Sequence, residues 1–177
     1  MMRESEMWET ISKVPGMLAR EECWLLYRLA QMAPPGGYLV ELGTFQGRGA
    51  AVLALSGRGK VITIDNYSYA VKSSPKLVHS NLRQVGLKVA IYRGSSARVP
   101  AQVTMVSLLL VDTEHTIRRF RQEMRAWLPL ILPNGIVVCH DFASSKWPKL
   151  TRAIRESLGD WQRVEIARKL VGFRKGE

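Results

Sequence analysis

Segments typical of buried β-strands alternate with segments typical of helices along most of this chain. The strand-like segments "GYLVEL", "KVITID", "KVAIYRG", "MVSLLLVD" and "GIVVCHD" are short and rich in aliphatic residues. Helix-like segments such as "SPKLVHSNLRQVG" and "TIRRFRQEMRAWLPLI" lie between strands. Because parallel strands need long crossover connections, this order predicts an α/β fold with a mostly parallel, doubly wound sheet that helices cover on both faces.

The C-terminal end of the chain predicts a change of strand direction. "WQRVEIA" and "KLVGFRK" both have strand character, and only a few residues around "ARK" join them. A connection that short makes a hairpin, so we expect a seven-stranded sheet with an antiparallel C-terminal strand. Since no repeat or linker divides the 177 residues, we expect one domain over 1–177, with a helical segment over 1–35 and the sheet over 36–177.

Composition argues against several classes of protein. Hydrophobic residues make up 46% of the chain, which is ordinary for a globular protein. No apolar run is long enough to cross a bilayer, and the N-terminal "MMRESEMWE" lacks a signal-peptide core. We therefore expect a cytoplasmic protein with no membrane contact, in which Cys23 and Cys139 are buried, reduced thiols.

Polar residues directly follow five of the predicted strands, at the edge where doubly wound sheets bind ligands. The opposite strand ends carry mostly turn sequences such as "PPGG", "SGRGK" and "LPNG". This asymmetry predicts a ligand site at the carboxyl ends of the strands. The residues brought to this edge are Glu41, Gly43, Asp65, Ser95, Ser96, Asp112, His115, His140 and Asp141.

The stretch "YLVELGTFQGRGAAVLAL" passes from a strand to a helix through three glycines, Gly43, Gly47 and Gly49. Glycine permits a sharp turn and a close backbone approach to a ligand, and the helix N-terminus supplies unpaired N–H groups. Asp65 ends the next strand, at a distance typical of a carboxylate that binds a ribose diol. A tight turn without any ligand is the alternative.

The glycine spacing and Glu41 indicate the kind of ligand. Gly43 and Gly47 do not form the GxGxxG pattern of dinucleotide sites, and GxxxxGK[ST] is absent. An acidic residue just before the loop suits a ligand with a positive centre better than one with a pyrophosphate. S-adenosylmethionine carries an ammonium, a sulfonium and a ribose diol without phosphate, so it fits these constraints.

The motifs "VELGTFQGRGAAVLAL", "VITIDNY", "YRGSS", "LLLVDTEHT" and "LPNGIVVCHD" resemble those of class I S-adenosylmethionine-dependent methyltransferases, in order. The resemblance covers about residues 36 to 174 and is closest to the small-molecule O-methyltransferase group that includes macrocin O-methyltransferase and cephalosporin hydroxylase relatives. Catechol O-methyltransferase is a more distant relative. The resemblance implies a Rossmann-like fold and transfer of a methyl group to a small-molecule hydroxyl.

The resemblance also implies roles for individual residues. It places Asp65 at the ribose hydroxyls, Asp112 below the sulfonium, and the first-loop residues around the methionine part of the cofactor. Ser95 and Ser96 would contact the adenine ring. The implied cofactor-binding residues are Glu41, Gly43, Thr44, Phe45, Gly47, Asp65, Asn66, Tyr67, Ser95, Ser96 and Asp112.

In metal-dependent members of the family, acids after the fourth and fifth strands bind a divalent cation. The matching residues here are Asp112 and Asp141, which would hold Mg²⁺, and a site without metal is the alternative. The catechol-type enzymes add a third Asn or Asp ligand and a lysine base, whereas this chain has "DTEHT" and "HDF". We therefore take His140, His115 and Asp112 as the candidate catalytic residues, with either histidine as base or ligand. A helix cap at His115 and a loop hydrogen bond at His140 are the structural alternatives.

The net charge of +11 leaves the methyl acceptor open. It favours nucleic acid, anionic lipid or a phosphorylated substrate, or reflects only a solvated basic surface. A nucleic-acid methyltransferase, acting on RNA, is therefore the alternative to a small-molecule enzyme, and a non-catalytic cofactor binder is a third. The sequence also leaves a homodimer open. The basic residues expected on exposed helix faces are Arg118, Arg121, Arg125, Lys149, Arg152 and Arg155.

Overall fold

The computed structural model describes residues 2–68 and 72–177. Its strands in these ranges are β1 (Tyr38–Leu42), β2 (Val61–Asp65), β3 (Ala90–Arg93), β4 (Val106–Val111), β5 (Ile131–Cys139), β6 (Gln162–Ala167) and β7 (Leu170–Arg174). They form one sheet in the order β3-β2-β1-β4-β5-β7-β6. The pairs among β1 to β5 are parallel, and β7 is antiparallel to both β5 and β6. The predicted seven-stranded, mostly parallel sheet is confirmed.

Helices cover both faces of the sheet. Those of the described ranges are α1 (Glu4–Ile11), α2 (Arg20–Met32), α3 (Arg48–Leu55), α4 (Pro75–Gln84), α5 (Ile117–Trp127) and α6 (Pro148–Leu158). One buried cluster packs the helices α1, α2, α3 and α4 against one face of the sheet. A second cluster packs α5 and α6 against the other face. The adjacent β1 residues Leu39 and Val40 belong to different clusters because successive strand side chains point to opposite faces. The doubly wound arrangement is therefore confirmed.

Two predicted boundaries differ from the structure. The helix predicted over 116–131 ends at Trp127, because Pro129 has no backbone N–H and the chain continues as a short 3-10 turn. The strand that follows begins at Ile131 rather than at the predicted Gly135, since its first residue pairs with the start of β4.

The C-terminal hairpin brings two basic residues to the carboxyl edge of the sheet. Arg168 and Lys169 form the turn between β6 and β7. The Phe142 N–H donates a 2.9 Å hydrogen bond to the Lys169 carbonyl, so the turn lies against the loop that follows β5. The hairpin therefore contributes to the same edge as the ends of the parallel strands.

The basic faces predicted for α5 and α6 are exposed, as expected. Arg121 on α5 and Arg152 on α6 both bind Glu156 on α6, at 2.9 Å and 2.8 Å, and the Arg121 contact connects the two helices. Cys23 and Cys139 are buried free thiols, which confirms that prediction. In the described part of the chain, every helix is too short or too polar to span a bilayer.

Candidate active site

A cavity of about 1190 Å³ lies at the carboxyl ends of the strands. Pockets for a single small molecule measure roughly 300–1,000 Å³, so this volume has room for a cofactor and a second ligand. Most of the residues predicted from the sequence lie in its wall. Those that line it are Glu41, Gly43, Thr44, Phe45, Asp65, Asn66, Tyr67, Ser96, Asp112, His115, His140 and Asp141.

The Asp65 carboxylate fixes the backbone of the first loop. Its Oδ2 atom accepts hydrogen bonds from the N–H groups of Thr44 and Phe45, both at 2.9 Å, and its Oδ1 atom accepts one from Tyr67 at 2.6 Å. Phe45 and Tyr67 adopt positive φ angles of 47° and 55°. Non-glycine residues hold that conformation only where their surroundings support it, and the Asp65 hydrogen bonds supply that support.

Gly43 allows the first loop to pass directly over the end of β4. Its φ is 92°, and a Cβ atom there would lie 1.9 Å from the Asp112 carbonyl oxygen. The close approach brings Asp112 beside the loop that Asp65 holds. Glycine is therefore required at this position for packing as well as for backbone conformation.

Glu41 is buried beneath the same loop. It accepts a 2.5 Å hydrogen bond from the Thr63 hydroxyl, which also lies 2.5 Å from the Thr44 hydroxyl. Burial raises the pKa of Glu41 well above its usual range, although the Thr63 hydrogen bond opposes this. A cationic group in the adjoining cavity would favour the carboxylate form, so the site suits a positively charged ligand.

Two predicted residues, Gly47 and Ser95, lie beside the cavity and are not among its lining residues in the described ranges. Gly47 begins α3 with a φ of 98°, and a Cβ atom there would lie 3.0 Å from the Val78 side chain on α4. The exposed Ser95 hydroxyl accepts a 3.2 Å hydrogen bond from Arg119. The structure thus gives Gly47 a packing contact and Ser95 a side-chain partner, and their direct cofactor contacts stay predictions.

Four titratable side chains meet at the ends of β4 and β5. One potential ligand atom from each of Asp112, His115, His140 and Asp141 lies within 4.8 Å of the others. His115 Nε2 is 2.6 Å from Asp141 Oδ2, and His140 Nδ1 is 3.3 Å from Asp112 Oδ1. Both nitrogens are buried and lack a correctly oriented hydrogen-bond partner among the described residues. These two imidazole nitrogens are therefore available to a further ligand.

His140 also contacts an acid on a helix. Its Nε2 atom lies 3.5 Å from the Oε1 atom of Glu22 on α2. Burial lowers the pKa of His140, but Asp112 and Glu22 outweigh this effect and raise the pKa from 6.5 to about 10. In the absence of a metal, His140 is therefore an imidazolium at neutral pH.

A segment before β1 closes one side of the cavity, a role that the sequence patterns did not assign to it. Residues 16–19 line it, and Met17 is 78% exposed there. Arg48 on α3 holds this segment by donating hydrogen bonds to the carbonyls of Val14 at 2.8 Å and Leu18 at 2.9 Å. The lone arginine in the otherwise apolar start of α3, "RGAAVLAL", was the available signal.

Trp147, just before α6, is half-buried and lines the cavity. Its ring stacks on His115 with centroids 4.8 Å apart and planes 10° apart. The stack fixes the orientation of the His115 imidazole beside Asp141. Its only sequence signal is its position just before the helix, in the loop that follows β5.

A fully buried acid on α5, Glu123, joins two loops of the cavity wall. Ser96 donates a 2.5 Å hydrogen bond to its Oε1 atom, and Thr113 donates a 3.0 Å bond to its Oε2 atom. The Trp127 indole N–H donates to the Ser96 carbonyl at 2.7 Å. Because Ser96 and Thr113 both line the cavity, Glu123 positions its wall from behind without reaching the interior.

Known methyltransferases are similar to this chain. A family model described as "Methyltransferase domain" matches residues 40–142, more than half of the chain. The O-methyltransferase NovP has 15% sequence identity and a TM-score of 0.77, and the match covers 92% of this chain and 82% of NovP. No curated protein gives a significant sequence match.

Two further solved structures have the same fold. For CalS11, a TDP-rhamnose 3′-O-methyltransferase of calicheamicin biosynthesis, the identity is 17% and the TM-score 0.67, with 99% of this chain and 82% of CalS11 covered. For an rRNA methylase from Streptococcus thermophilus, the identity is 14% and the TM-score 0.66, with coverage of 92% and 100%.

The sheet order and the carboxyl-edge cavity define the Rossmann-like fold of class I S-adenosylmethionine-dependent methyltransferases. The chain belongs to the methyltransferase-domain family. The family resemblance drawn from its motifs is thus confirmed.

Glu123→Gln should flatten the dependence of stability on pH. Burial raises the pKa of Glu123 from 4.5 to about 7, although the Ser96 and Thr113 hydrogen bonds oppose this. The folded protein therefore holds this proton more tightly than the unfolded chain, and the resulting stability is lost as pH rises from 4.5 to 7. The loss is up to about 3 kcal/mol. Urea denaturation across this range measures it.

The exposed Glu9→Gln variant is the matched control and should keep the wild-type slope. Glu41 also has a raised pKa, but it is present in both variants, so the difference between their slopes isolates Glu123. Equal slopes for wild type and Glu123→Gln would contradict the assignment.

Proposed function

We propose that this protein transfers a methyl group from S-adenosylmethionine to a hydroxyl group of a small molecule. The observation that carries the proposal is one cavity with two chemically different ends. At one end Asp65 holds the first loop, and at the other Asp112, His115, His140 and Asp141 converge. NovP and CalS11, which share the fold, are both O-methyltransferases by name.

The cofactor would lie along the ends of β1, β2 and β4. Asp65 would accept hydrogen bonds from the ribose hydroxyls, and Glu41 would balance the positive charge at the methionine end. Ser96, held by Glu123, would lie at the adenine. Asp112 would lie below the sulfonium, so the methyl group would face the cluster formed with His115, His140 and Asp141.

Methyl transfer from a sulfonium is an in-line displacement, in which the new C–O bond forms as the S–C bond breaks. The donor is already activated, so the protein has to hold the acceptor oxygen behind the methyl carbon. Such positioning contributes on the order of 7–11 kcal/mol to lowering a barrier. The hydroxyl also has to lose its proton.

We assign His115 as the base that takes this proton. His140 already carries a proton at neutral pH because of Asp112 and Glu22, so it stabilises negative charge instead. Asp141 beside His115 Nε2 favours a proton on that atom, which leaves Nδ1 to accept one. Trp147 keeps the ring in place.

His115→Phe should test this role, because phenylalanine preserves the ring that stacks on Trp147 and removes both nitrogens. We expect unchanged affinity for S-adenosylhomocysteine and a turnover lower by roughly 10²–10⁴-fold, the usual contribution of a general base. The exposed His79→Asn variant should retain full turnover. Methyl transfer at the wild-type rate by His115→Phe would refute the assignment.

The cluster also fits a divalent cation, because the buried His140 Nδ1 atom faces two carboxylates and lacks an oriented partner in the described ranges. Asp112, Asp141 and His140 would hold the ion, and binding would displace the His140 proton. Magnesium prefers oxygen ligands, whereas a mixed set of imidazole and carboxylates suits Mn²⁺ and neighbouring divalent ions of the first transition row. Such an ion would lower the pKa of the acceptor hydroxyl.

Titration with Mn²⁺, followed by electron paramagnetic resonance of the free ion, measures this site directly. We expect the wild type to bind one ion and Asp112→Asn to lose at least about tenfold in affinity, as expected when a charged ligand is removed. Glu114→Gln removes an exposed carboxylate from the same cavity and should bind like wild type. Equal binding by all three proteins would exclude the site.

RNA methylation is the second candidate function. An rRNA methylase shares the fold, and the net charge is +11. The arginines of α5 and α6 are exposed, and such a surface is able to bind a phosphate backbone. A salt-dependent electrophoretic shift with RNA distinguishes this function from methylation of a small acceptor.

Asp65→Asn tests cofactor binding. The amide keeps the shape of the carboxylate but offers one acceptor and no charge, so we expect affinity for S-adenosylhomocysteine to fall by at least about tenfold. Isothermal titration calorimetry measures the change, and the exposed Asp160→Asn variant is the control. Adenosine alone should show the same loss, because the predicted contact is to its ribose. Unchanged affinity in Asp65→Asn would refute the cofactor position.

A further inference from the structure

Three basic residues, Lys146, Arg168 and Lys169, line the cavity around the cluster at the ends of β4 and β5. We call them the cationic rim. Lys169 Nζ lies 3.7 Å from Asp141 Oδ1. Lys146 Nζ lies 5.1 Å from the centre of the Trp147 ring, which stacks on His115. The rim therefore adjoins the reacting end of the proposed site.

The backbone of the hairpin turn is fixed at this position. The Lys169 N–H donates a 3.2 Å hydrogen bond to Glu22 Oε1, and the Lys169 carbonyl accepts one from Phe142 at 2.9 Å. The turn is thus held between α2 and the loop after β5. Arg168 and Lys169 extend exposed side chains from a rigid support, which favours recognition of a ligand.

Arg168 has a left-handed backbone conformation that glycine and asparagine adopt at a lower cost in free energy. Its φ is 51°, a value for which hairpin turns favour glycine or asparagine. Strained residues of this kind occur often at functional sites. Asp141, which contacts Lys169, also has a positive φ, of 55°. The left-handed turn therefore presents a cation where backbone preference alone would place glycine.

The rim has positive charge available for a ligand. Two other cavity cations are already engaged: Arg48 binds backbone carbonyls, and Arg119 lies 3.4 Å from Glu114. Within residues 2–68 and 72–177, no carboxylate lies within 4.0 Å of the Lys146 or Arg168 cationic group.

We propose that the cationic rim binds a phosphoryl group of the methyl acceptor, so that the acceptor is a phosphorylated small molecule. The inference rests on the proposed methyl transfer, since the rim matters only if an acceptor occupies this end of the cavity. A guanidinium matches phosphate oxygens in a two-bond geometry, and an ammonium adds a point charge. The acceptor hydroxyl then reaches His115 while its phosphoryl group stays at the rim.

The test uses calorimetry with inorganic pyrophosphate as the probe, in buffer without divalent cations. The protein is first titrated to saturation with S-adenosylhomocysteine, which fills the cofactor end. Arg168→Gly removes the cation at a position where glycine suits the backbone, so a failure to fold cannot explain a loss. Lys146→Met keeps an apolar stem on Trp147. Lys88→Met removes a charge from the opposite edge of the sheet and is the control.

We expect pyrophosphate to bind the wild type, and both rim variants to lose about tenfold or more, the scale of one charge-assisted hydrogen bond. The control should stay within about twofold, as for an exposed charge remote from the site. A wild type that binds S-adenosylhomocysteine but not pyrophosphate overturns the rim and leaves the proposed function standing. Absence of heat in the first titration counts against the proposed function itself.

The wild type and the Arg168→Gly variant are also titrated with a single-stranded RNA oligonucleotide. If RNA binds, depends on Arg168 and is not displaced by pyrophosphate, the rim serves a polynucleotide and the small-acceptor proposal is wrong. Displacement of RNA by pyrophosphate, or no RNA binding, supports a small phosphorylated acceptor.

Discussion

The carboxylate of Asp65 is the interaction on which the site depends. It accepts hydrogen bonds from three backbone N–H groups in two loops, and the first of those loops passes over the end of β4 only because Gly43 has no Cβ atom. Sheet pairing alone would leave these loops free to vary. With Asp65 in place, the wall of the cavity is formed before any ligand arrives, which reduces the entropy cost of binding.

The two ends of the cavity differ in the charges that their buried acids require nearby. At the Glu41 end, burial favours a neutral carboxyl until a cation arrives. At the other end, Asp112 and Asp141 lie within a few ångströms of each other and need positive charge. His140 supplies it as an imidazolium, and Lys169 supplies more from the hairpin. One cavity therefore suits a cationic cofactor beside an acceptor that loses a proton.

The sequence predicted the features that follow from strand order. Asp65 ends β2, Asp112 directly follows β4 and Asp141 lies two residues after β5. Parallel strands bring such positions to one edge. It did not predict Glu22 or Glu123, because each is one of several charged residues in its helix. Their burial depends on how α2 and α5 pack against the sheet. The half-buried position of Trp147 likewise depends on a loop path that hydrophobic periodicity does not encode.

A crystal structure with S-adenosylhomocysteine tests the central claim most directly, because it locates the nucleoside and the sulfur together. The account predicts the ribose hydroxyls on Asp65 and the sulfur facing Asp112, with open space between the sulfur and His115. A nucleoside bound outside the carboxyl edge, or a sulfur turned away from the cluster, would contradict it.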